Sequence, residues 1–233
     1  MKSQDFSYRQ FLPEVILQCL RWYLRYPISY RNLEEMMIER GVEVDHTTLY
    51  RWVQAYSVEL AKRIRFYSKL YSMSWRVDET YIKVKGKWKY LYRAVDSQGC
   101  TIDFMLSSTR DIIAAKRFFK QAISNSATKP KTITTDKHPS YIKAITQLQV
   151  QKILPKALVH RQCKYLNNII ESDHRRIKRI TNPMLGFKTM NSAKRCIGGI
   201  EAMAMMVKKQ THYLKFSILE QVEFVKRLFH IYV

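Results

Sequence analysis

The 233-residue sequence predicts an α/β protein in which an all-α amino-terminal part precedes a mixed β-sheet flanked by helices. Two observations carry this prediction. Apolar residues recur at helical spacing through the first part of the chain, and from Trp75 onward β-branched and aromatic residues alternate as in strands. The short turn sequences Lys85-Gly86 and Ser97-Gln98-Gly99 then divide this second part into three antiparallel strands.

The amino-terminal part is predicted to begin with two short helices. Apolar positions from Val15 to Tyr23 lie on one helical face, and Pro27 closes that helix. Ser29 is a typical amino-terminal cap for the second helix, and Gly41 is a typical stop.

Asp45 is predicted to cap a third helix that begins at His46. The spacing of the second and third helices is that of a helix-turn-helix, in which residues at the start of the second helix of the pair reach base edges in the major groove. An ordinary three-helix packing unit with a polar face is the alternative. The candidate DNA-contacting residues are His46, Thr47, Thr48 and Arg51.

The second part is predicted to order its elements as three strands, a helix, a strand, a helix, a strand and a final helix. This order matches the ribonuclease H-like fold, which places carboxylates on the first strand, at the end of the fourth strand and on the last helix. The acids at those places are Asp78, Asp136 and Glu171. The predicted strands cover 75–84, 88–96, 101–106, 131–135 and 157–159, and the helices cover 112–123, 141–148 and 164–180.

The predicted domain limits follow from these patterns. We expect a helix-turn-helix domain over 1–56, a helical connector over 57–74, a ribonuclease H-like domain over 75–212 and a helical tail over 213–233.

Asp136 is unusual because it lies in a strongly basic stretch. The chain has a net charge of +22, and the residues between Asp111 and Glu171 include eleven Lys or Arg but no acid other than Asp136. Mg²⁺ takes hard oxygen ligands and binds readily beside substrate phosphates. The three carboxylates therefore predict a site for two Mg²⁺ ions, in which Mn²⁺ is expected to substitute.

The last predicted helix has a polar, basic face around Glu171. At 100° per residue, Arg175 and Lys178 lie on the same side as Glu171, and the isoleucines lie on the other side. This arrangement would offer Glu171 to a metal and Lys178 to a phosphate. Asp173 breaks the pattern, and either pairing with a nearby Arg or service as a fourth metal ligand would account for it.

The distribution of charge favours a nucleic-acid partner. Residues 1–70 have a net charge of +3 and residues 71–233 a net charge of +19. A basic balance alone leaves DNA, RNA and anionic membrane open. No apolar run is long enough to span a membrane and no export signal is evident, so we expect a cytoplasmic, nucleoid-associated protein. The four cysteines are scattered without a C-x-x-C pair, which disfavours a zinc site and a disulfide framework.

Several long motifs resemble the transposases of insertion-sequence family six, which are encoded by small bacterial elements that move by replicative cointegrate formation. The likeness extends over nearly the whole chain from Arg21 onward. The motifs are Trp75-Arg-Val-Asp-Glu-Thr-Tyr-Ile-Lys-Val-Lys-Gly-Lys-Trp, Tyr90-Leu-Tyr-Arg-Ala-Val-Asp, Thr135-Asp-Lys-His-Pro, Lys164-Tyr-Leu-Asn-Asn-Ile-Ile-Glu-Ser-Asp-His and Met184-Leu-Gly-Phe-Lys.

The resemblance implies a catalytic triad of two Asp and one Glu, with 34 residues between the second Asp and the Glu; residues 137–170 are that interval here. It assigns Asp78, Asp136 and Glu171 as metal ligands and Lys178 as their basic partner. It further implies 3′-end cleavage and strand transfer by a dimer or larger assembly on double-stranded DNA, with element ends bound by the helix-turn-helix. A nuclease of the same fold and a helix-turn-helix regulator remain the alternatives.

Overall fold

The computed structural model describes residues 4–6, 10–68, 72–126, 128–163, 168–211 and 217–231. The chain divides into two compact units. One unit is helical and consists of Met1–Lys69 together with Arg179–Val233, and the other contains the sheet and consists of Leu70–Lys178.

The elements of regular structure follow one another in the predicted order, except that the helix over Met190–Val207 was not predicted. In chain order they are α1 (Pro13–Arg25), α2 (Tyr30–Ile38), α3 (His46–Phe66), β1 (Ser74–Val84), β2 (Lys87–Asp96), β3 (Thr101–Ser107), α4 (Ile112–Asn125), β4 (Thr132–Thr135), α5 (Pro139–Val150), β5 (Val159–Gln162), α6 (Asn168–Thr181), α7 (Met190–Val207) and α8 (Ile218–Leu228).

The start signals of α2 and α3 act as the sequence predicts. The Ser29 hydroxyl accepts the backbone N–H of Asn32, and the Asn32 side chain accepts the N–H of Ser29 in return. Asp45 caps α3. Gly41 adopts a φ of 71°, a left-handed conformation in which a Cβ would be strained.

The third helix is longer than predicted. It continues without a break to Phe66, so the first part of the predicted connector over 57–74 is a direct extension of the helix that Asp45 starts. Residues 69–71, near the end of that connector, lie outside the described residues.

Helix α7 belongs to the helical unit, where it packs on α1 and α3. The predicted ribonuclease H-like domain of 75–212 therefore extends beyond the compact sheet-bearing unit, which ends at Lys178. The close approach of α7 depends on Gly199, since a Cβ there would lie 2.6 Å from Leu24 and 2.8 Å from the Ser57 hydroxyl.

The sheet has the strand order β3-β2-β1-β4-β5. The first three strands are antiparallel, and β4 and β5 run parallel to β1. Lys85 and Gly86 both have positive φ in the hairpin between β1 and β2, as a two-residue turn of this kind requires. The mixed sheet with its flanking helices confirms the predicted ribonuclease H-like fold. Strand β5 lies later than the predicted 157–159.

Alternation along β1 sends its side chains to two faces. Trp75 and Val77 are buried in a core that includes Phe118 of α4 and Tyr141 of α5. Asp78 must point to the opposite face, because successive residues of a strand alternate.

Helix α6 begins at Asn168 in the described residues, while its predicted start at 164 falls in 164–167, outside them. Helix α8 lies within the predicted helical tail, and residues 213–216 and 232–233 of that tail lie outside the described part of the chain. Among the helices of the described residues, none is both long and apolar enough to cross a membrane.

Candidate active site

Asp78 and Asp136 are brought together by the parallel pairing of β1 with β4. Arg76 of β1 pairs with Thr134 of β4, so two residues further along each strand the chain reaches Asp78 and Asp136. Asp136 directly follows β4, and its Oδ1 accepts the backbone N–H of His138 at 3.0 Å. Two carboxylates that are 58 positions apart in sequence thus meet beside the carboxyl end of β4.

Glu79 completes a group of three carboxylates. Asp78, Glu79 and Asp136 each offer one oxygen, and these oxygens lie within 4.8 Å of one another. Oxygens bound to a single octahedral Mg²⁺ at about 2.1 Å would be ~3 Å apart when adjacent and ~4 Å apart when opposite. The oxygens of this group therefore fit a hard divalent cation after a small adjustment.

Glu171 lies outside this group. It is exposed in the first turn of α6. The helix that carries it is nevertheless held beside Asp78, because the Nδ1 atom of His174 lies 3.8 Å from Oδ2 of Asp78. The structure therefore brings together two of the three predicted ligands, and it places the third on a helix next to them.

Asp173 forms an ion pair with Arg93 of β2, with 2.6 Å between Oδ2 and Nη2. The Arg93 side chain is fully buried and that of Asp173 is 5% exposed. Arg93 is also the register partner of Asp78 across β1 and β2. Of the two explanations for Asp173 offered by the sequence, pairing with an Arg is the one confirmed, and this pair anchors α6 on the sheet.

Burial and neighbouring charges shift the ionisation of this region. Burial, followed by the charge of Glu79, raises the pKa of Asp78 to about 7. Burial, reinforced by the charge of Arg93, lowers the pKa of His174 to about 3, so its imidazole is neutral near pH 7. A protonated Asp78 would bind a cation poorly, whereas a bound cation would favour its charged form.

Arg110 contacts two of the grouped acids. It lies between β3 and α4, where its Nε pairs with Glu79 and its Nη2 lies 3.2 Å from Oδ2 of Asp136. The Tyr141 hydroxyl donates a hydrogen bond to the other oxygen of Glu79. Burial raises the pKa of Glu79.

The candidate DNA-contacting residues of α3 lie at its exposed start. His46, Thr47 and Arg51 are exposed, and Thr48 is half-buried. Both threonine hydroxyls donate to the carboxylate of Asp45, and the Thr48 hydroxyl lies 2.6 Å from Oδ2 of Asp45. His46 lies 3.2 Å from Glu34 of α2. Arg51 is thus the residue of this set with an exposed guanidinium.

The basic residues predicted on the polar face of α6 are also exposed. Arg175 and Lys178 face solvent, and Arg175 donates a hydrogen bond to the Ser172 hydroxyl at 3.0 Å. Arg176 lies nearer the sheet, with its Nη1 3.8 Å from Oδ1 of Asp173.

Comparison with known proteins identifies the family. A family model described as a DDE domain matches residues 72–210. The chain is 42% identical over 212 residues to the transposase for the insertion sequence-like element IS431mec of Staphylococcus aureus, covering 90% of this chain and 92% of that protein. The transposase for element IS257 in transposon Tn4003, also of Staphylococcus aureus, matches with the same identity and coverage. The chain belongs to the transposases of insertion-sequence family six.

Family membership confirms the resemblance and gives the transposase its class, a DDE enzyme that acts on DNA by polynucleotidyl transfer. The matched range of 72–210 includes α7, although that helix packs in the helical unit.

Among solved structures, the magnesium-bound catalytic core of HTLV-2 integrase in its dimeric form is 18% identical, with a TM-score of 0.44 over 63% of this chain and 99% of that one. The BIV integrase core is 13% identical with a TM-score of 0.44, covering 67% and 97%.

Sequence reasoning about this transposase missed Glu79, Arg110 and Tyr141. Glu79 had a visible signal, since it stands beside Asp78 within a strand and acids are depleted in strands. Arg110 and Tyr141 had no such signal in the sequence. One basic residue among many, or one aromatic residue in a helix, does not show which acid it will contact.

Proposed function

We propose that this transposase binds the terminal inverted repeats of an insertion sequence and catalyses metal-dependent 3′-end cleavage followed by strand transfer into target DNA, in replicative, cointegrate-forming transposition. The observation that carries the proposal is the meeting of Asp78 of β1 and Asp136 at the end of β4, beside α6, the helix that bears Glu171. Family membership supplies the reaction class.

The proposed metal ligands are Asp78, Asp136 and Glu171, and the proposed cofactor is a pair of Mg²⁺ ions for which Mn²⁺ substitutes. Such a pair stabilises the attacking and leaving oxygens of an in-line displacement at phosphorus. The chain itself supplies alignment: β1 and β4 hold the two aspartates, and the Asp173 to Arg93 ion pair holds α6 against β2. Lys178 is the proposed partner of a phosphate near the scissile bond.

The proposed DNA contacts divide into two sets. The start of α3 offers His46, Thr47, Thr48 and Arg51 to the bases of the element ends. The exposed face of α6 offers Arg175 and Lys178 to phosphates. Because two element ends must be held together, we propose that the active form is a dimer or a larger assembly on DNA.

The test uses purified protein, labelled end DNA, a target plasmid and Mg²⁺. Asp78→Asn, Asp136→Asn and Glu171→Gln should each abolish cleavage and strand transfer while end binding persists, because each removes a charged ligand and keeps the side-chain volume. Glu223→Gln, an exposed acid of α8, is the matched control and should retain activity. Substantial strand transfer by Asp136→Asn would contradict the ligand assignment.

The same assay separates the alternatives. A nuclease of this fold would cut end DNA but fail to join pre-cut ends to the plasmid. A regulator would bind end DNA and show neither activity with Mg²⁺ or Mn²⁺.

A further inference from the structure

The first inference concerns the buried acid next to Asp78. The Glu79 side chain is only 3% exposed, and both of its oxygens are engaged, one by the Arg110 guanidinium and the other by the Tyr141 hydroxyl. An acid held in this way is turned toward its two donors, although one of its oxygens lies within the metal-ligand group.

Arg110 also fixes the orientation of Asp136. Its Nη2 engages Oδ2, and the backbone N–H of His138 engages Oδ1 at 3.0 Å. Two donors on opposite oxygens define the plane of this carboxylate. The Arg110 guanidinium thus contacts both Asp136, which is proposed to bind metal, and Glu79, which is not.

Resting on the proposed function, we propose that Arg110 is a positioning residue that sets the charge of the metal site and keeps Glu79 from acting as a metal ligand. With Arg110 in place, the three grouped acids carry one compensating charge. Without it, Glu79 becomes an extra anionic ligand that competes with Glu171 for the ion.

This role predicts opposite changes in metal affinity and in chemistry. A monovalent charge roughly 6 Å from a divalent ion changes its affinity about tenfold even with the screening of water. Arg110→Gln should therefore bind Mn²⁺ about tenfold or more tightly. Strand transfer at saturating metal should fall at the same time, because Asp136 loses a donor and Glu79 is released. A residue with only a structural role would weaken both properties.

The experiment measures Mn²⁺ binding to the DNA-free protein by calorimetry and, separately, the joining of pre-cut ends. Arg110→Lys keeps the charge and should keep near-normal Mn²⁺ affinity. The double variant Glu79→Gln with Arg110→Gln restores the net charge and should return the affinity toward that of the original chain. Arg117→Gln is the matched control, since Arg117 is exposed on α4 and bonds to the Ser107 hydroxyl at 3.2 Å.

Equal or weaker Mn²⁺ binding by Arg110→Gln would overturn this inference. Failure of the proposed function would look different: the original chain would fail to join pre-cut ends, or Asp136→Asn would retain strand transfer, whatever the Mn²⁺ affinity of Arg110→Gln.

A second, independent observation lies in the helical unit. Arg21 of α1 is 4% exposed, and its Nε is buried without a hydrogen-bond partner among the described residues. It lines a cavity of about 380 Å³ together with Arg40 and Lys226, and Glu14 is the one acid among the described residues that line it. Valine, leucine and methionine side chains form most of the remaining wall.

The other two cations of this cavity have protein partners. Arg40 donates to the Met36 carbonyl at 2.9 Å and stacks on Trp22, and Lys226 pairs with Glu223 at 3.0 Å. A buried donor such as the Arg21 Nε costs free energy when it has no hydrogen-bond partner, and the planar guanidinium suits the oxygens of a phosphate. We infer that this cavity binds a phosphate group through Arg21.

The test is thermal unfolding of the full chain in sodium phosphate and in sodium chloride of equal ionic strength. Phosphate should raise the Tm of the original chain but not that of Arg21→Met. In chloride, Arg21→Met should be at least as stable as the original, because an apolar side chain replaces one with an unsatisfied buried nitrogen. Arg31→Met, which removes an exposed charge of α2, should respond to phosphate like the original chain.

The phosphate could belong to the DNA backbone or be a free anion, and measuring the affinity for random duplex DNA distinguishes these two sources. Weaker binding by Arg21→Met, beyond the effect of Arg31→Met, identifies a phosphate of the DNA backbone, and unchanged binding identifies a free anion. The same Tm response to phosphate in both the original and Arg21→Met would overturn the site.

Discussion

The ion pair between Asp173 and Arg93 allows the proposed ligand helix to be tested apart from catalysis. Asp173→Asn removes the negative partner and leaves the fully buried Arg93 guanidinium without that charge. Breaking a buried ion pair from one side typically costs about 3–5 kcal/mol. For a chain whose m-value is about 2 kcal/mol/M in urea, the unfolding midpoint should fall by roughly 1.5–2.5 M.

The assay is urea unfolding followed by circular dichroism, with EDTA present throughout. Glu171→Gln is the matched control, since it lies on the same helix but is exposed, and surface changes usually stay within about 0.5 kcal/mol. Glu171→Gln should therefore keep its unfolding midpoint and lose strand transfer, whereas Asp173→Asn should lower the midpoint. Replacing both partners, as Arg93→Met with Asp173→Leu, should recover most of the lost stability, because an apolar pair needs no compensation.

Two results would refute this reasoning. A loss below about 1 kcal/mol for Asp173→Asn would mean that the pair does not anchor α6. A loss of Mn²⁺ affinity as large as that of Asp136→Asn would mean that Asp173 is a metal ligand after all.

Three further predictions concern recognition, phosphate contact and pH. Arg51→Ala, and to a lesser degree Thr48→Ala, should relax the preference for end DNA over random DNA by about 1–3 kcal/mol per lost base contact, and equal losses on both DNAs in a competition assay would assign them to phosphates instead. Lys178→Ala should reduce the salt slope of DNA binding by about one and should impair strand transfer more than Arg176→Ala, which lies beside the buried Asp173; the reverse order would show that α6 presents a different face to DNA. Because burial raises the pKa of Asp78 to about 7, its charged form opposes folding, so stability in EDTA should fall as pH rises from about 4 to about 7. Asp78→Asn should flatten that pH profile, and an unchanged profile would locate the titration elsewhere.

Much of the fold could be predicted because its signals are local. Ser29 and Asp45 start helices through hydrogen bonds to backbone a few residues away, and Lys85-Gly86 makes a hairpin turn through its own backbone preferences. Alternation in β1 reflects the burial of one face of the sheet. These features depend on neighbours in sequence, so the residue pattern was sufficient.

The proposed ligands were also accessible from sequence, since three acids at strand and helix positions stand out in a chain of net charge +22. Their long motifs then matched one transposase family. The sequence could nominate Asp173 for an ion pair without showing which arginine would meet it.

The partners themselves were decided by tertiary structure. Arg93 meets Asp173, and Arg110 meets Glu79 and Asp136, across separations in sequence that leave no periodic trace. The same holds for α7, whose helical pattern does not reveal that it packs on α1 and α3 rather than on the sheet. Local hydrogen bonding and the alternation of burial depend on residues close in sequence and can be predicted from it. Charge pairing and helix packing depend on which distant segments come into contact, so only the tertiary structure determines them.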